Sequence, residues 1–165
     1  YSHTQMTQEK VMMSICSGLE TVLTLFHNAI KHGVEVEKEY ENVPEIPCFP
    51  DELNQVWANL IQNALQAMDY QGHLKIEVRR FDEQILVRII DNGDGIPADL
   101  QEKIFEPFFT TKGMGEGSGL GLDIVKRIID KHQGTITLES EPGRTAFSIF
   151  LPIKPVEKRS SENDE

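Results

Sequence analysis

Three amide side chains share one edge of a helical stretch near the middle of the chain. In WANLIQNALQAM, residues 57–68, Asn59, Asn63 and Gln66 fall within an arc of ~60° at about 100° per residue. Amide oxygens are hard, neutral ligands suited to Mg²⁺, and amide nitrogens can donate to phosphate oxygens. The spacing is therefore compatible with a metal–phosphate site, although partly exposed polar residues bordering a core would give the same pattern.

A second chemical candidate is the segment DNGDGIP, residues 91–97. It follows directly on a predicted strand, so the carboxylate of Asp91 lies where the backbone begins to turn. That carboxylate can accept a hydrogen bond from an exocyclic amine, while Gly93 and Gly95 permit close approach of the backbone to a flat ring. An ordinary surface turn is the alternative, since Asn-Gly and Asp-Gly are common turn dipeptides.

A third candidate is the glycine-rich segment GMGEGSGLGL, residues 113–122. Its glycines leave main-chain N–H groups free to surround anionic oxygens beside the positive end of the following helix. The spacing matches neither the dinucleotide-binding nor the P-loop fingerprint. A flexible linker is the other interpretation, though GLGL running directly into a periodic helix fits it poorly.

Periodicity predicts the elements that position these segments. Apolar residues at helical spacing indicate one helix or two over residues 8–32, ending at Gly33. VEVEKEY alternates like a strand, and the prolines of residues 43–50 interrupt the chain before Asp51 caps the next helix. That helix, with apolar positions from Leu53 to Met68, has the strongest pattern in the chain.

The second half of the chain predicts two hairpins and two helices. One hairpin joins residues 73–81 to 84–90 and the other joins 135–140 to 145–152. A short helix is expected over residues 97–104, and a longer one ends near His132 before Gly134. Hairpins interleaved with helices favour an α/β (α+β) two-layer sandwich, with a mixed, mainly antiparallel sheet and helices on one face.

The composition of the chain argues against several classes of binding partner and metal site. A net charge of −11 over 165 residues argues against a nucleic-acid or anionic-membrane surface. Two cysteines without a CxxC pair suggest neither a disulfide framework nor a zinc site, and no secretory or membrane-length apolar run occurs. A reducing cytoplasm fits best. Residues 155–165 are polar and charged and are expected to form a disordered tail.

Taken in order, five segments resemble the conserved boxes of one family. NLIQNALQAM, DNGDGIP, IFEPFFTTK, GSGLGL and GTITLESEPGRTAFSIFLP are similar to the N, G1, F, G2 and terminal boxes of the catalytic ATP-binding domain of bacterial sensor histidine kinases. The resemblance covers roughly residues 14–153. It implies the Bergerat fold of the GHKL superfamily, which also includes DNA gyrase, a large heat-shock chaperone and mismatch-repair ATPases.

The resemblance implies a role for each matching position. Asn59 and Asn63 would hold Mg²⁺ and the phosphates of ATP, Asp91 would bind the adenine amino group, and Thr145 would face the base. Lys112 would contact phosphate and act in catalysis with the two asparagines. The remaining nucleotide-binding positions are Gln66, Gly93, Gly95, Ile96, Phe105, Phe108, Thr110, Thr111, Gly117, Ser118, Gly119, Leu120, Gly121 and Leu122. The segment over residues 109–117 would be a mobile lid.

Two positions depart from the pattern that the resemblance implies. Gln66 stands where many relatives place a phosphate-contacting lysine, and Arg144 stands where glycine is common. Either departure could weaken nucleotide affinity. Asn59 also occupies the position of the glutamate that activates water in hydrolysing relatives, and an amide cannot act as a general base.

The resemblance therefore implies transfer of the γ-phosphate from Mg-ATP to a histidine on a separate dimerisation hairpin, in two-component signalling through a response regulator. None of His3, His27, His32, His73 and His132 has the neighbours expected of that acceptor. We expect residues 1–10 to be a connector remnant, residues 11–154 to form the catalytic domain, and the chain alone to be monomeric and nearly inactive. The alternatives are a nucleotide-sensing module, a GHKL-type ATPase and an anti-sigma-type serine kinase.

Overall fold

A five-stranded sheet covered on one face by helices forms the body of the protein. The computed structural model describes residues 9–107 and 121–154. The elements, in chain order, are β1 (Val11–Met13), α1 (Ile15–Leu25), α2 (His27–Ile30), β2 (Val34–Tyr40), β3 (Ile46–Cys48), α3 (Pro50–Ala67), β4 (Gly72–Phe81), β5 (Gln84–Asp91), α4 (Gly121–Lys131), β6 (Thr135–Glu141) and β7 (Arg144–Pro152).

The strand order of the main sheet is β2-β4-β5-β7-β6. The β2–β4 pair is parallel, and the other three pairs are antiparallel. This arrangement confirms the predicted two-layer sandwich with a mixed, mainly antiparallel sheet. The register places Asp91 directly opposite Leu74 on one side and Thr145 on the other, so the last residue of β5 is enclosed by both neighbouring strands.

Helix α3 is the central element of the core. Its apolar face, including Trp57, Leu60, Ile61 and Leu65, is fully buried, as the helical periodicity predicts. The predicted cap at Asp51 is wrong. The helix starts at Pro50 with Phe49 as its N-cap residue and no capping side chain, while Asp51 lies in the first turn, where its charge still favours the positive end of the helix.

The predicted helix over residues 8–32 is wrong at its beginning. Residues Val11–Met13 form a strand that pairs antiparallel with Ile46–Cys48, and α1 begins only after Ser14, whose hydroxyl accepts the N–H of Ser17 at 3.3 Å. The apolar spacing predicted a helix here because Val11 fits the helical period, although 48% of this residue is exposed. The possible division into two helices is confirmed, with α2 following α1.

The predicted short helix over residues 97–104 is also wrong. The segment forms successive turns, in which Leu100 N–H donates to Pro97 O and Lys103 N–H donates to Leu100 O, both at 2.9 Å. These bonds span three residues rather than four, so the turns do not propagate as an α-helix. Both predicted hairpins, and the end of α4 before Gly134, are confirmed.

The core lies between the helices and one face of the sheet. Strand residues such as Ile76, Ile89 and Ile149 are fully buried beneath α3. The face of the sheet away from the helices carries charged side chains on β4 and β5. Within the described part of the chain, no helix is long and apolar enough to span a membrane.

Candidate functional site

The amide edge of α3 lies between the start of α4 and the loop that follows β5. Asn59 is half-buried, and its Nδ2 donates to the carbonyl of Gly121 at 3.0 Å. At the other end of α3, the carbonyl of Ala67 accepts the N–H of Asp94 at 3.4 Å. The half-buried side chains of Asn63 and Gln66 occur between these two contacts along the helix. The structure therefore brings the predicted amides, the end of the glycine-rich segment and the DNGDGIP loop together.

Asp91 is the most buried carboxylate of this site, with 4% of the residue exposed. Its Oδ1 accepts the N–H of Gly93 at 2.9 Å. Burial raises the pKa of Asp91 to about 6, although the hydrogen bond from Gly93 opposes the rise. No ion pair neutralises this carboxylate among residues 9–107 and 121–154. A buried acceptor without a cation is a strong site for an N–H donor of a ligand.

Gly93 and Gly95 are required by packing against neighbouring backbone. A Cβ at Gly93 would lie 2.5 Å from the carbonyl oxygen of Ala67, and one at Gly95 would lie 2.4 Å from that of Glu141. Gly95 also has φ +83°, a conformation that favours glycine. The loop is therefore held between the end of α3 and the β6–β7 turn. The predicted reason for these glycines, close approach to a ring, is not needed to explain them.

A hydroxyl pair connects Thr145 to the loop. Thr145 is buried, and its Oγ1 lies 2.7 Å from Ser140 Oγ. Ser140 Oγ also accepts the N–H of Ile96 at 2.8 Å, and Gln101 Nε2 donates to the carbonyls of Ile96 and Ser140 at 2.8 and 3.2 Å. Sequence reasoning missed Ser140 and Gln101, because only the strand register and the turns after Pro97 bring them to Ile96.

The remaining predicted binding residues divide into two sets. Phe105 makes a T-shaped contact with Phe147 of the core, with 6.4 Å between ring centroids, and Leu122 is half-buried against the core at the start of α4. The rest lie outside the described residues, so their placement stays a prediction: Phe108, Thr110, Thr111, Lys112, Gly117, Ser118, Gly119 and Leu120. The expected lid over residues 109–117 lies in the same range.

The two departures from the family pattern occupy different environments. Gln66 is half-buried on α3, beside the predicted phosphate ligands. Arg144 is paired with Glu141 in the register, and its Nη1 lies 4.0 Å from Glu139. Because neighbouring residues of a strand point to opposite faces, Arg144 projects from the face opposite to Thr145. The side chain of Arg144 is thus directed away from the face that holds Asp91.

Among the described side chains of this site, the ligands suited to a metal ion are neutral amide oxygens. Within the described ranges, no group of three His, Cys, Asp or Glu side chains could hold a metal ion. Asn59 uses its amide nitrogen on Gly121, which directs its oxygen toward other partners. Amide oxygens from Asn59 and Asn63 fit Mg²⁺ that retains most of its waters and also binds substrate phosphates.

Residues 49–155 match the family model of histidine kinase-, DNA gyrase B- and HSP90-like ATPases. The chain belongs to this family. The matched region contains every described site residue, from Asn59 on α3 to Thr145 on β7, so the predicted family is confirmed.

Curated relatives of the chain include sensory histidine kinases. It is 35% identical over 162 residues to the sensory histidine kinase/phosphatase NtrB of Escherichia coli O157:H7, covering 91% of this chain and 46% of the relative. It is 40% identical over 139 residues to NtrB of Rhodobacter capsulatus, covering 76% and 39%. The chain thus spans less than half the length of these relatives.

Solved structures of histidine kinases are also similar to the chain. The catalytic domain of histidine kinase ThkA superposes with a TM-score of 0.82 at 33% identity, covering 90% of this chain and 98% of that domain. ThkA in complex with response regulator TrrA gives 0.78 at 30%, covering 90% and 43%. Full-length ShkA in complex with AMPPNP gives 0.77 at 25%, covering 87% and 31%. The fold is that of histidine kinase catalytic domains.

Proposed function

We propose that this chain binds ATP with Mg²⁺ and positions the γ-phosphate for transfer to a histidine on a dimerisation hairpin of the same kinase. The observation that carries the proposal is the carboxylate of Asp91, which is buried without an ion-pair partner among the described residues and is followed by a loop that contacts the end of α3. The family includes histidine kinases by its own description, and the similar ShkA structure holds AMPPNP.

Each group of the site has a distinct task in this proposal. Asp91 accepts the exocyclic amine of the adenine ring, while Thr145 and Ile96 border the base. Asn59 and Asn63 hold Mg²⁺, which would neutralise phosphate charge. By resemblance to the family, Lys112 and the glycines before α4 would also contact the phosphates. Gln66 would donate a hydrogen bond to phosphate from a neutral amide, at a position where many relatives have a lysine.

The amide at position 59 favours transfer over hydrolysis. Asn59 donates its nitrogen to Gly121, and a carboxamide takes no proton near neutral pH. Asn63 and Gln66, the other two residues of the amide edge, supply no carboxylate either. A water molecule beside the phosphate therefore lacks a general base at this position, whereas a hairpin histidine would bring its own nucleophile.

Direct transfer tests the proposal. Purified chain, radiolabelled ATP and Mg²⁺ are mixed with a dimerisation hairpin from an NtrB-like kinase, and acid-labile phosphohistidine on the hairpin is measured. We expect label on the hairpin and almost none in the chain alone, with Asn63→Ala reducing transfer by at least about 30-fold. Binding of ATP without transfer to any such hairpin would contradict the catalytic half. In the full-length protein we propose a response regulator as the next acceptor, as the ThkA complex with TrrA suggests.

A second candidate is a nucleotide-sensing module that binds ATP without catalysing transfer. The neutral Gln66 beside the phosphate ligands favours this candidate, because it lacks a charge that many relatives use. Gln66→Lys separates the two candidates. A variant that transfers phosphate where the parent chain does not would identify Gln66 as the defect.

A further inference from the structure

The structure assigns to His132 the role of a positioning residue that ties α4 to the beginning of α3, in a manner that depends on its protonation. His132 follows α4, and only 3% of the residue is exposed. It takes no part in nucleotide contact in the function proposed above. Its ring lies at the opposite end of the α3–α4 pair from the hydrogen bond between Asn59 and Gly121.

Two hydrogen bonds fix which ring nitrogen of His132 carries the proton. Nδ1 lies 2.8 Å from the carbonyl oxygen of Ile128, and Nε2 lies 3.0 Å from the backbone N of Phe49. A carbonyl only accepts and a backbone N–H only donates. The ring must therefore be neutral, with hydrogen on Nδ1 and a bare lone pair on Nε2.

The bond to His132 satisfies one of the free N–H groups at the start of α3. Phe49 is the N-cap residue of α3, and its backbone N–H is among the N–H groups at a helix start that have no partner within the helix. His132 supplies that partner from 83 residues away. Because α3 and α4 run antiparallel, this bond holds one end of the pair while Asn59 and Gly121 hold the other.

Protonation of His132 would break this tie. The imidazolium presents N–H groups from both nitrogens, so Nε2 would face the Phe49 N–H donor to donor. Burial already lowers the pKa of His132 below its usual value, against the opposing hydrogen bond to Ile128. The neutral form is thus the one that the packing favours at neutral pH.

Three charged groups from three parts of the chain face the ring. Glu52 on α3 favours the protonated ring, whereas Lys10 before β1 and Lys131 on α4 disfavour it. Lys131 also binds Glu52 at 2.9 Å and lies 4.4 Å from the centroid of the Phe49 ring. Glu52 Oε2 is buried and has no hydrogen-bond partner among the described residues. A positive charge on His132 would therefore add attraction to Glu52 and repulsion from Lys10 and Lys131.

The consequence concerns the geometry of the nucleotide site. Helix α4 begins at Gly121 and α3 carries Asn59, so a shift of one helix along the other changes the Asn59–Gly121 contact directly. We expect His132 protonation to weaken that contact without unfolding the domain. This expectation needs no nucleotide, while the effect on ATP affinity rests on the proposed function.

A pH titration by NMR of the full 165-residue chain tests the tie. Long-range ¹H–¹⁵N spectra give the tautomer and pKa of His132, and the Phe49 N–H, the Gly121 N–H and the Asn59 side-chain NH₂ are followed from pH 7.5 to 5. We expect the Nδ1–H tautomer, and we expect all three signals to shift with the titration of His132. The inference is overturned if Asn59 and Gly121 do not respond, or if the whole domain unfolds in the same range.

Matched variants separate this effect from other titrating groups. His132→Gln keeps an acceptor for Phe49 without titrating, and His73→Gln removes an exposed histidine that lies near Glu35 and Glu37. We expect ATP affinity with Mg²⁺ to fall about two- to fivefold more in the parent chain than in His132→Gln between pH 7.5 and 5, because the lowered pKa of His132 delays its protonation to the acidic end of this range. His73→Gln should behave like the parent. Equal losses in all three chains would contradict the role of His132, whereas no ATP binding at pH 7.5 in any chain would contradict the proposed function and leave the NMR result standing.

Discussion

Glu77 and Asp91 are both buried carboxylates of the same sheet, yet their surroundings are opposite. Glu77 on β4 lies within 3.1–3.3 Å of Arg79, Arg88 and Lys75. Within the described part of the chain, Asp91 at the end of β5 accepts a hydrogen bond only from the N–H of Gly93 in its own loop. Glu77 faces the side of the sheet away from the helices, and Asp91 faces the helices.

The pKa of each carboxyl group reports this difference. Burial alone would raise the pKa of Glu77, but the hydrogen bond from Lys75 and the charges of Arg88 and Arg79 hold it below its usual value. Burial raises the pKa of Asp91 to about 6, and only the Gly93 N–H opposes it. The neighbouring cations already stabilise the ionised form of Glu77. Asp91 has no such cation among the described residues, so its carboxylate can accept a hydrogen bond from a ligand.

The largest expected effect is on ligand binding at Asp91. Asp91→Asn keeps an acceptor for Gly93 but replaces the charged acceptor with a neutral amide. We expect ATP affinity, measured by calorimetry with Mg²⁺ at pH 7.5, to fall by about 30- to 100-fold. An affinity within about threefold of the parent would show that Asp91 is not the base-binding acceptor.

The same substitution should raise stability, with a defined dependence on pH. Because the folded-state pKa of Asp91 is raised, its contribution to stability is full below about pH 4 and is lost as pH rises through about 6. We expect Asp91→Asn to be more stable than the parent by about 1–2 kcal/mol at pH 7.5 in urea unfolding. That gain should vanish near pH 4; a gain independent of pH would contradict the assignment.

The second effect is on stability at Glu77. Glu77→Gln leaves the cations of Arg88, Arg79 and Lys75 without their shared carboxylate. We expect the free energy of unfolding to fall by about 1–2 kcal/mol at pH 7.5, with ATP affinity unchanged. Since the pKa of Glu77 is lowered, this contribution is present above about pH 4.5 and is lost as pH falls, the reverse of Asp91.

Glu39 offers a matched control for that measurement. It lies 3.3 Å from Lys75 but is 59% exposed at its side chain. Glu39→Gln should change stability by less than about 0.5 kcal/mol. Equal losses from the two substitutions would show that surface charge, rather than the buried cluster, accounts for the effect.

Much of this contrast could be predicted from sequence, and some could not. The periodicity of Leu53 to Met68 and the alternation of β5 are local patterns, so α3, the hairpin and the position of Asp91 at a strand end were predictable. The strand at Val11–Met13 was not, because its partner at Ile46–Cys48 lies far along the chain. The turns after Pro97 were also missed, since short segments give weak periodicity.

The site shows the same division between local and distant information. Asn59, Asn63 and Asp91 belong to local motifs with chemical meaning, so sequence alone was enough to predict them as candidate site residues. Ser140 and His132 act through partners 44 and 83 residues away, and no local pattern marks them. Such contacts depend on strand register and helix packing, which the sequence does not state residue by residue.

A smaller effect is expected at Ser140, which supports the loop beside Asp91. Ser140→Ala removes the acceptor of the Ile96 N–H and the partner of Thr145. We expect a loss of about 1 kcal/mol in stability and a three- to fivefold loss of ATP affinity, about as one hydrogen bond predicts. Ser140→Thr, which keeps the hydroxyl at a strand position, serves as the control and should retain most of the affinity.

The smallest effect tests the division between the two faces of the sheet. Arg144 departs from the family pattern, but strand alternation directs it away from Thr145, toward Glu139 on the charged face. We therefore expect Arg144→Gly to change ATP affinity by less than about twofold, although glycine in a strand costs about 0.5–1 kcal/mol of stability. Arg144→Ala, which removes the charge without freeing the backbone, should leave both quantities nearly unchanged. An affinity gain of tenfold or more in either variant would show that Arg144 reaches the nucleotide, and that the face opposite Asp91 is not separate from the site.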